Sequence, residues 1–170
     1  MRNLDFNEYK LCQILGRIFE KSISLSTVNS LTFIRLFMTM EESQCFFDKT
    51  YLVSSDNGEE IIYEMNKRYV PPLKKIILTK NEMYWIGYIY GALSFLYGLS
   101  GKSVYHLFPA REIVKYYNIY HTFGVEEAAE RMMENIGYEK VDPTKKGVEI
   151  MRRLYGFACP SQDQAKARKR

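Results

Sequence analysis

One stretch constrains the fold of this chain more than any other. Residues 83–101, MYWIGYIYGALSFLYGLSG, carry no charge, and their five Tyr or Trp side chains lie through the middle as well as at the ends. A membrane-spanning helix concentrates such aromatics at the two interfaces, although Gly87-x-x-x-Gly91 matches a close-packing motif of membrane helices. We therefore predict an apolar helix within a globular protein, with no membrane contact, whose glycines let a neighbouring helix approach.

Local signals predict where this helix begins and where it ends. Thr79 and Glu82 fit a capping box, in which each side chain bonds the other residue's backbone N–H. The later Gly101-Lys102-Ser103 resembles the end of a phosphate-binding loop, but Leu96 stands where that motif needs its first glycine. We interpret these residues as a helix stop and then a short helix that Ser103 caps.

Helical periodicity also runs through the flanking sequence. Apolar residues recur at helical spacing over residues 7–22 and over 31–48, where a break is expected near Thr39. A turn is predicted at Asp56-Asn57-Gly58, with a helix after it. Pro109 fits the first position of a later helix. No stretch alternates for long as a half-buried strand would, so the predicted fold class is mainly α, a compact multi-helix bundle or two small helical subdomains.

The domain organisation is predicted from one proline pair and from a C-terminal tail of polar and basic composition. Pro71-Pro72 cannot lie inside a helix and marks an internal boundary. We expect an N-terminal helical module over residues 1–70 and a C-terminal helical module, containing the aromatic helix, over 73–157. Residues 158–170 are polar, basic and unpatterned, and we predict that they are disordered.

Charge and cysteine usage exclude several classes of protein. Of the formal net charge of +4, the last ten residues supply +3, so the body is close to neutral and lacks the electrostatic footprint of a nucleic-acid binder. Cys12, Cys45 and Cys159 are odd in number and form no C-x-x-C pair, which predicts a reducing, cytoplasmic location. The charged N-terminus lacks the apolar run of a secretory signal. His106 and His121 have no metal-ligand spacing, so no metal is expected.

The sequence shows no catalytic motif. No G-x-S-x-G elbow is present, and carboxylates such as Asp48 and Glu59-Glu60 fit the solvated faces of amphipathic helices. We predict that the protein is not an enzyme and uses no cofactor. Aromatic residues make up 15% of the chain, including 14 Tyr, and this surplus indicates a large core or a protein-binding surface.

A helix-turn-helix is the main alternative interpretation. Residues 102–121, KSVYHLFPAREIVKYYNIYH, predict two short helices joined by a tight turn. The second helix would present Arg111, Lys115 and Asn118 to phosphates or base edges, as in a helical DNA-binding transcriptional regulator. Glu112 and its neighbouring tyrosines dilute this positive face, and short helix pairs are common in any α domain.

Two segments carry a resemblance to a known family. FIRLFMTMEESQCFFD at 33–48 and the pieces MYWIGYIYG, SGKSVYHLF and YNIYHTFGVEEAAERM within 83–132 resemble a family of small, uncharacterised bacterial antitoxin-like proteins. Several members of that family are encoded beside toxins of the ADP-ribosyltransferase fold. The scattered match covers roughly two thirds of the chain, and the Met-Tyr-Trp-Ile-Gly-Tyr and Tyr-His-Thr motifs are its most specific parts.

The resemblance implies a role in binding a partner toxin, and it supplies no catalytic residues. It singles out Trp85, Tyr88, Tyr120 and His121 as the predicted partner-binding residues. The competing interpretation for each is packing, which we favour for Trp85. The expected function is thus that of an antitoxin component whose helical surface occludes the active cleft of a cognate toxin.

Overall fold

The computed structural model describes residues 3–48, 55–70 and 77–138, and over these residues the protein is mainly α and contains no strand, as predicted. Pro71-Pro72, the predicted last helix and the basic tail lie outside the described residues. In chain order the elements are α1 (Phe6–Leu25), α2 (Ser30–Thr39), a 3₁₀ turn (Gln44–Phe47), α3 (Ser55–Arg68), α4 (Lys80–Tyr97), α5 (Gly101–Leu107), α6 (Ala110–Tyr120) and α7 (Val125–Asn135).

The aromatic helix α4 packs against α1 at unusually short range. A Cβ atom on Gly87 would lie 2.5 Å from the carbonyl oxygen of Leu15, and one on Gly91 would lie 3.2 Å from the Cα of Cys12. From the other side, a Cβ on Gly16 would lie 3.0 Å from the carbonyl oxygen of Tyr84. The two backbones therefore touch where glycine leaves room, which confirms the predicted role of the glycines in α4.

No helix in the described part of the chain has both the length and the apolar character needed to span a membrane. The uncharged stretch is instead divided between two environments. Ile86, Ile89, Tyr90 and Leu93 are fully buried, whereas four other aromatic side chains of α4 are only half-buried, namely Tyr84, Trp85, Tyr88 and Tyr97.

The core is organised around the ring of Phe19 on α1. It meets the rings of Phe33 and Phe37 on α2 edge-on, at centroid distances of 5.3 and 5.0 Å, and it lies 6.2 Å from the ring of Tyr90 on α4. Edge-to-face pairs of this kind add about 1 kcal/mol each beyond the area that they bury. The Tyr90 phenol donates a buried hydrogen bond of 2.7 Å to the carbonyl of Phe108, so its polar end is satisfied inside the core.

Capping residues fix the ends of the long helices. At α4 the predicted capping box is present: the Thr79 hydroxyl accepts a hydrogen bond from the Glu82 amide, and the Glu82 carboxylate accepts one from the Thr79 amide. Gly98 ends α4 with a φ of +65°, a conformation that costs other residues about 1 kcal/mol or more. A second box, between Asp5 and Glu8, starts α1.

The structure contradicts one predicted turn and confirms one predicted break. Asp56-Asn57-Gly58 is not a turn, because α3 already begins at Ser55. A Cβ on Gly58 would lie 2.3 Å from Cγ1 of Ile18, so this glycine provides close packing against α1 and no reversal of the chain. The break expected near Thr39 is present, since α2 ends there.

The cap of the short helix α5 also differs from the prediction. Ser100, and not Ser103, is the N-cap, and its hydroxyl accepts a hydrogen bond from the Ser103 amide. The helix therefore begins at Gly101, which has no room for a side chain because a Cβ would lie 2.6 Å from the ring of Phe47. Pro109 lies one position before the first residue of α6.

We expect Gly87→Ala to lower the free energy of unfolding by about 1–3 kcal/mol, measured by urea denaturation. Alanine favours a helix by roughly 1 kcal/mol over glycine, but the new methyl group meets backbone atoms that cannot rotate away. Gly124→Ala controls only for the added methyl group, because a Cβ there has no neighbour within 4 Å; its position as the N-cap of α7 makes a small loss of stability expected there as well. An unchanged midpoint for Gly87→Ala would show that α1 and α4 are not held in backbone contact.

Candidate partner-binding surface

Five aromatic side chains form a partly exposed patch on α4 and at the end of α6, and we call this patch the aromatic surface. Three of its members occupy neighbouring positions of α4, because helical spacing brings residues three and four apart together. The two others lie one turn apart at the end of α6. All are half-buried except the last, which is exposed: Tyr84, Trp85, Tyr88, Tyr117 and His121.

Ring contacts hold these side chains in fixed positions. The rings of Tyr84 and Tyr88 stack at a centroid distance of 6.0 Å with planes 21° apart. The Trp85 indole meets the Tyr117 ring edge-on at 5.6 Å, and the His121 ring stacks on the Tyr117 ring at 4.7 Å. His121 is further fixed by Nδ1, which lies 2.9 Å from the carbonyl oxygen of Tyr117. The aromatic surface is thus already ordered before anything binds it.

Polar atoms on this surface remain available for a ligand. Within the described ranges, no residue accepts a hydrogen bond from the Trp85 indole N–H or from the Tyr88 phenol. Burial raises the pKa of Tyr88, and burial also raises the pKa of Tyr84. Both phenols are therefore neutral hydrogen-bond donors at physiological pH.

Helices α1 and α7 meet at a tyrosine–glutamate contact beside this surface. The Tyr9 phenol donates a hydrogen bond to the Glu126 carboxylate. That hydrogen bond, together with burial and the negative charge of Glu126, raises the pKa of Tyr9 to about 12. The contact connects the first helix of the described chain to the last.

Tyr120, the fourth predicted partner-binding residue, lies elsewhere. It is 8% exposed, its ring stacks on Tyr116 at 5.9 Å, and its hydroxyl accepts a 2.8 Å hydrogen bond from Asn135. The structure therefore leaves Trp85, Tyr88 and His121 at least partly exposed, whereas Tyr120 is buried against residues outside the aromatic surface.

Sequence reasoning did not single out two exposed apolar side chains at the end of α6. Ile119 is 57% exposed and Phe123 is 37% exposed. The guanidinium of Arg131 lies 5.1 Å from the centre of the Phe123 ring. The spacing of four residues between Ile119 and Phe123 was the available signal, since it places both on one side of the chain as it leaves α6.

The residues of the DNA-binding alternative lie on another side of α6. Arg111, Lys115 and Asn118 are all exposed, and their spacing places them together and away from Tyr117. Both carboxylate oxygens of Glu112 accept hydrogen bonds from the Lys115 ammonium, at 2.7 and 2.9 Å. The positive charge of this face is therefore partly neutralised within the helix itself.

Reactive groups are few in the described part of the chain. The Cys12 thiol is fully buried, and burial raises its pKa, which suppresses the reactive thiolate. Cys45 is half-buried, and burial raises the pKa of its thiol as well. No three His, Cys, Asp or Glu side chains there come close enough to hold a metal ion.

No protein-family model, curated protein or solved structure matches the chain. What the aromatic surface can bind is therefore inferred from its own side chains. These offer large apolar rings in fixed orientations with hydrogen-bond donors at their edges, a combination that suits binding of another protein.

We expect the free energy of unfolding to fall as the pH rises from about 10 towards 12. Above pH 10 the unfolded chain releases its phenolic protons, while Tyr9, Tyr88 and Tyr90, whose pKa values are raised in the folded state, retain theirs. The stabilisation that these phenols contribute is thus fully present below their pKa in the unfolded chain, and it is lost as the pH rises through their pKa in the folded state. Urea denaturation at a series of pH values measures it.

Tyr9→Phe isolates one contribution to this pH dependence. The variant should lose about 1 kcal/mol at neutral pH, because the hydrogen bond to Glu126 is removed, and its stability should fall less steeply above pH 10. A pH dependence identical to that of the original chain would contradict the contact between α1 and α7.

Proposed function

We propose that the protein is a protein-binding module of the antitoxin type, which neutralises a partner toxin by covering its active cleft with the aromatic surface. The observation that carries the proposal is the set of ordered, partly exposed rings at Trp85, Tyr88 and His121, which are held in two contact groups, Tyr84–Tyr88 and Trp85–Tyr117–His121. Helix α4 must bury one side for the fold, but the other side keeps rings of the residue types that dominate protein interfaces.

The order of these rings supports binding on energetic grounds. Association normally costs about 0.5–1.5 kcal/mol for each flexible side chain that becomes fixed. Tyr117 is already held by the indole of Trp85 on one side and by the His121 ring on the other, so little of this cost remains. Affinity from such a surface resides in a few central aromatic anchors.

The nature of the partner is inferred from the resemblance to antitoxin-like proteins, several of which are encoded beside toxins of the ADP-ribosyltransferase fold. A nucleotide-using cleft of that kind presents both apolar and hydrogen-bonding groups. The Trp85 and Tyr88 side chains can bind in such a cleft, because each combines a flat apolar ring with a hydrogen-bond donor, the indole N–H or the phenol O–H.

Co-expression with the product of the neighbouring gene tests the proposal. The expected result is that the neighbour alone arrests growth, that this protein restores growth, and that the two proteins purify as one complex. Binding should also change the fluorescence of Trp85, the single tryptophan of the chain. A toxic neighbour that this protein neither binds nor neutralises would contradict the proposal.

Two substitutions locate the binding surface. Tyr88→Ala and His121→Ala should each weaken the complex at least about ten-fold, as measured by titration calorimetry. Tyr63→Ala is the matched control, because Tyr63 on α3 is 53% exposed and lies outside the aromatic surface. Since His121 is exposed, its replacement should leave the melting temperature unchanged and so separate binding from folding.

A helical DNA-binding regulator is the second candidate, and the exposed face of Arg111, Lys115 and Asn118 on α6 favours it. The expected result under this alternative is retention on duplex DNA that weakens steeply with added salt. Lys115→Ala should reduce the slope of that salt dependence by about one, and Asn118→Ala should not change it. Retention that is insensitive to salt, or absent at low salt, excludes this candidate.

A further inference from the structure

A groove of about 480 Å³ lies between α2 and the start of α6, apart from the aromatic surface. Two arginine side chains line it, Arg35 from α2 and Arg111 from α6. We propose that this groove binds a small phosphorylated ligand, with its phosphate between the two guanidinium groups. The inference does not depend on the proposed antitoxin function.

The two arginines differ from most cations of the described chain. Lys21, Arg68 and Lys102 are each paired with a glutamate. Arg35 and Arg111 have no carboxylate within ion-pair distance among the residues that the structure describes, although both face the same concave surface. Guanidinium groups bind phosphate through two parallel N–H donors, so two unpaired ones in one groove suit an anion.

Among the described residues that line this groove, Glu112 is the only acid, and it is already engaged. Both of its carboxylate oxygens accept hydrogen bonds from the Lys115 ammonium. Counting this pair as neutral, the two arginines leave the groove with a local charge of about +2. An anion that enters it therefore meets net attraction from the surrounding charges.

The other lining residues indicate the class of ligand. Thr32 provides a hydroxyl, while Tyr105, Leu31 and Pro109 provide apolar surface. The volume lies within the range of sites for small molecules, about 300–1,000 Å³. A lining that combines two arginines with apolar side chains suits a phosphate joined to a planar or sugar-like group, and a mononucleotide is the simplest such probe.

Titration with AMP, monitored by isothermal calorimetry and by amide chemical shifts, tests the assignment. We expect AMP and inorganic phosphate to shift the amides of α2 and α6 that line the groove, and adenosine to bind far more weakly than AMP. Arg35→Gln and Arg111→Gln should each weaken AMP binding about ten-fold, the loss expected for one charge-assisted contact. Both side chains are exposed, so circular dichroism should show an unchanged fold.

Arg17→Gln is the matched control, because Arg17 is an exposed arginine on α1 and does not line the groove. It should leave AMP affinity within about two-fold. The proposal is overturned if neither AMP nor phosphate binds at millimolar concentration, or if Arg17→Gln weakens binding as much as Arg35→Gln.

Discussion

The backbones of α1 and α4 touch, and the positions of the other elements depend on that contact. Gly16, Gly87 and Gly91 bring the two helices closer than any side chain would allow. Phe19 on α1 can then reach both the rings of α2 and the Tyr90 ring of α4. Because α4 is packed closely against α1, its half-buried rings are also held in place, and Tyr84 itself packs against Gly16 of α1.

One apolar helix therefore serves two purposes. Its buried side, with Tyr90 bonded to the Phe108 carbonyl, completes the core. Its half-exposed side, with Tyr84 and Tyr88 stacked, contributes the aromatic surface. The groove at Arg35 and Arg111 lies between α2 and the start of α6, whereas the aromatic surface uses the end of α6, so a change at one location need not disturb the other.

The sequence predicted those features that depend on local chemistry. The mainly α class, the capping box at Thr79 and the close approach at Gly87 were all evident from short patterns. Gly58 was misinterpreted, because a glycine that admits a neighbouring helix and a glycine that reverses the chain look alike until the partner, Ile18, is known. Tyr120 is buried and accepts a hydrogen bond from Asn135, a tertiary contact that no local pattern encodes.

The long sequence separation between α1 and α4 has a consequence for the growing chain. When α1 leaves the ribosome, α4, which covers the side of α1 that carries Gly16, has not been made. Leu25 at the end of α1 and Lys80 at the start of α4 are separated by residues 26–79. Phe19 and its neighbours thus stay accessible to water, or to a chaperone, while residues 26–79 are being added. Native structure can be completed only after α4 has emerged, so α1 cannot reach its final packing until a helix beyond residue 79 has been synthesised.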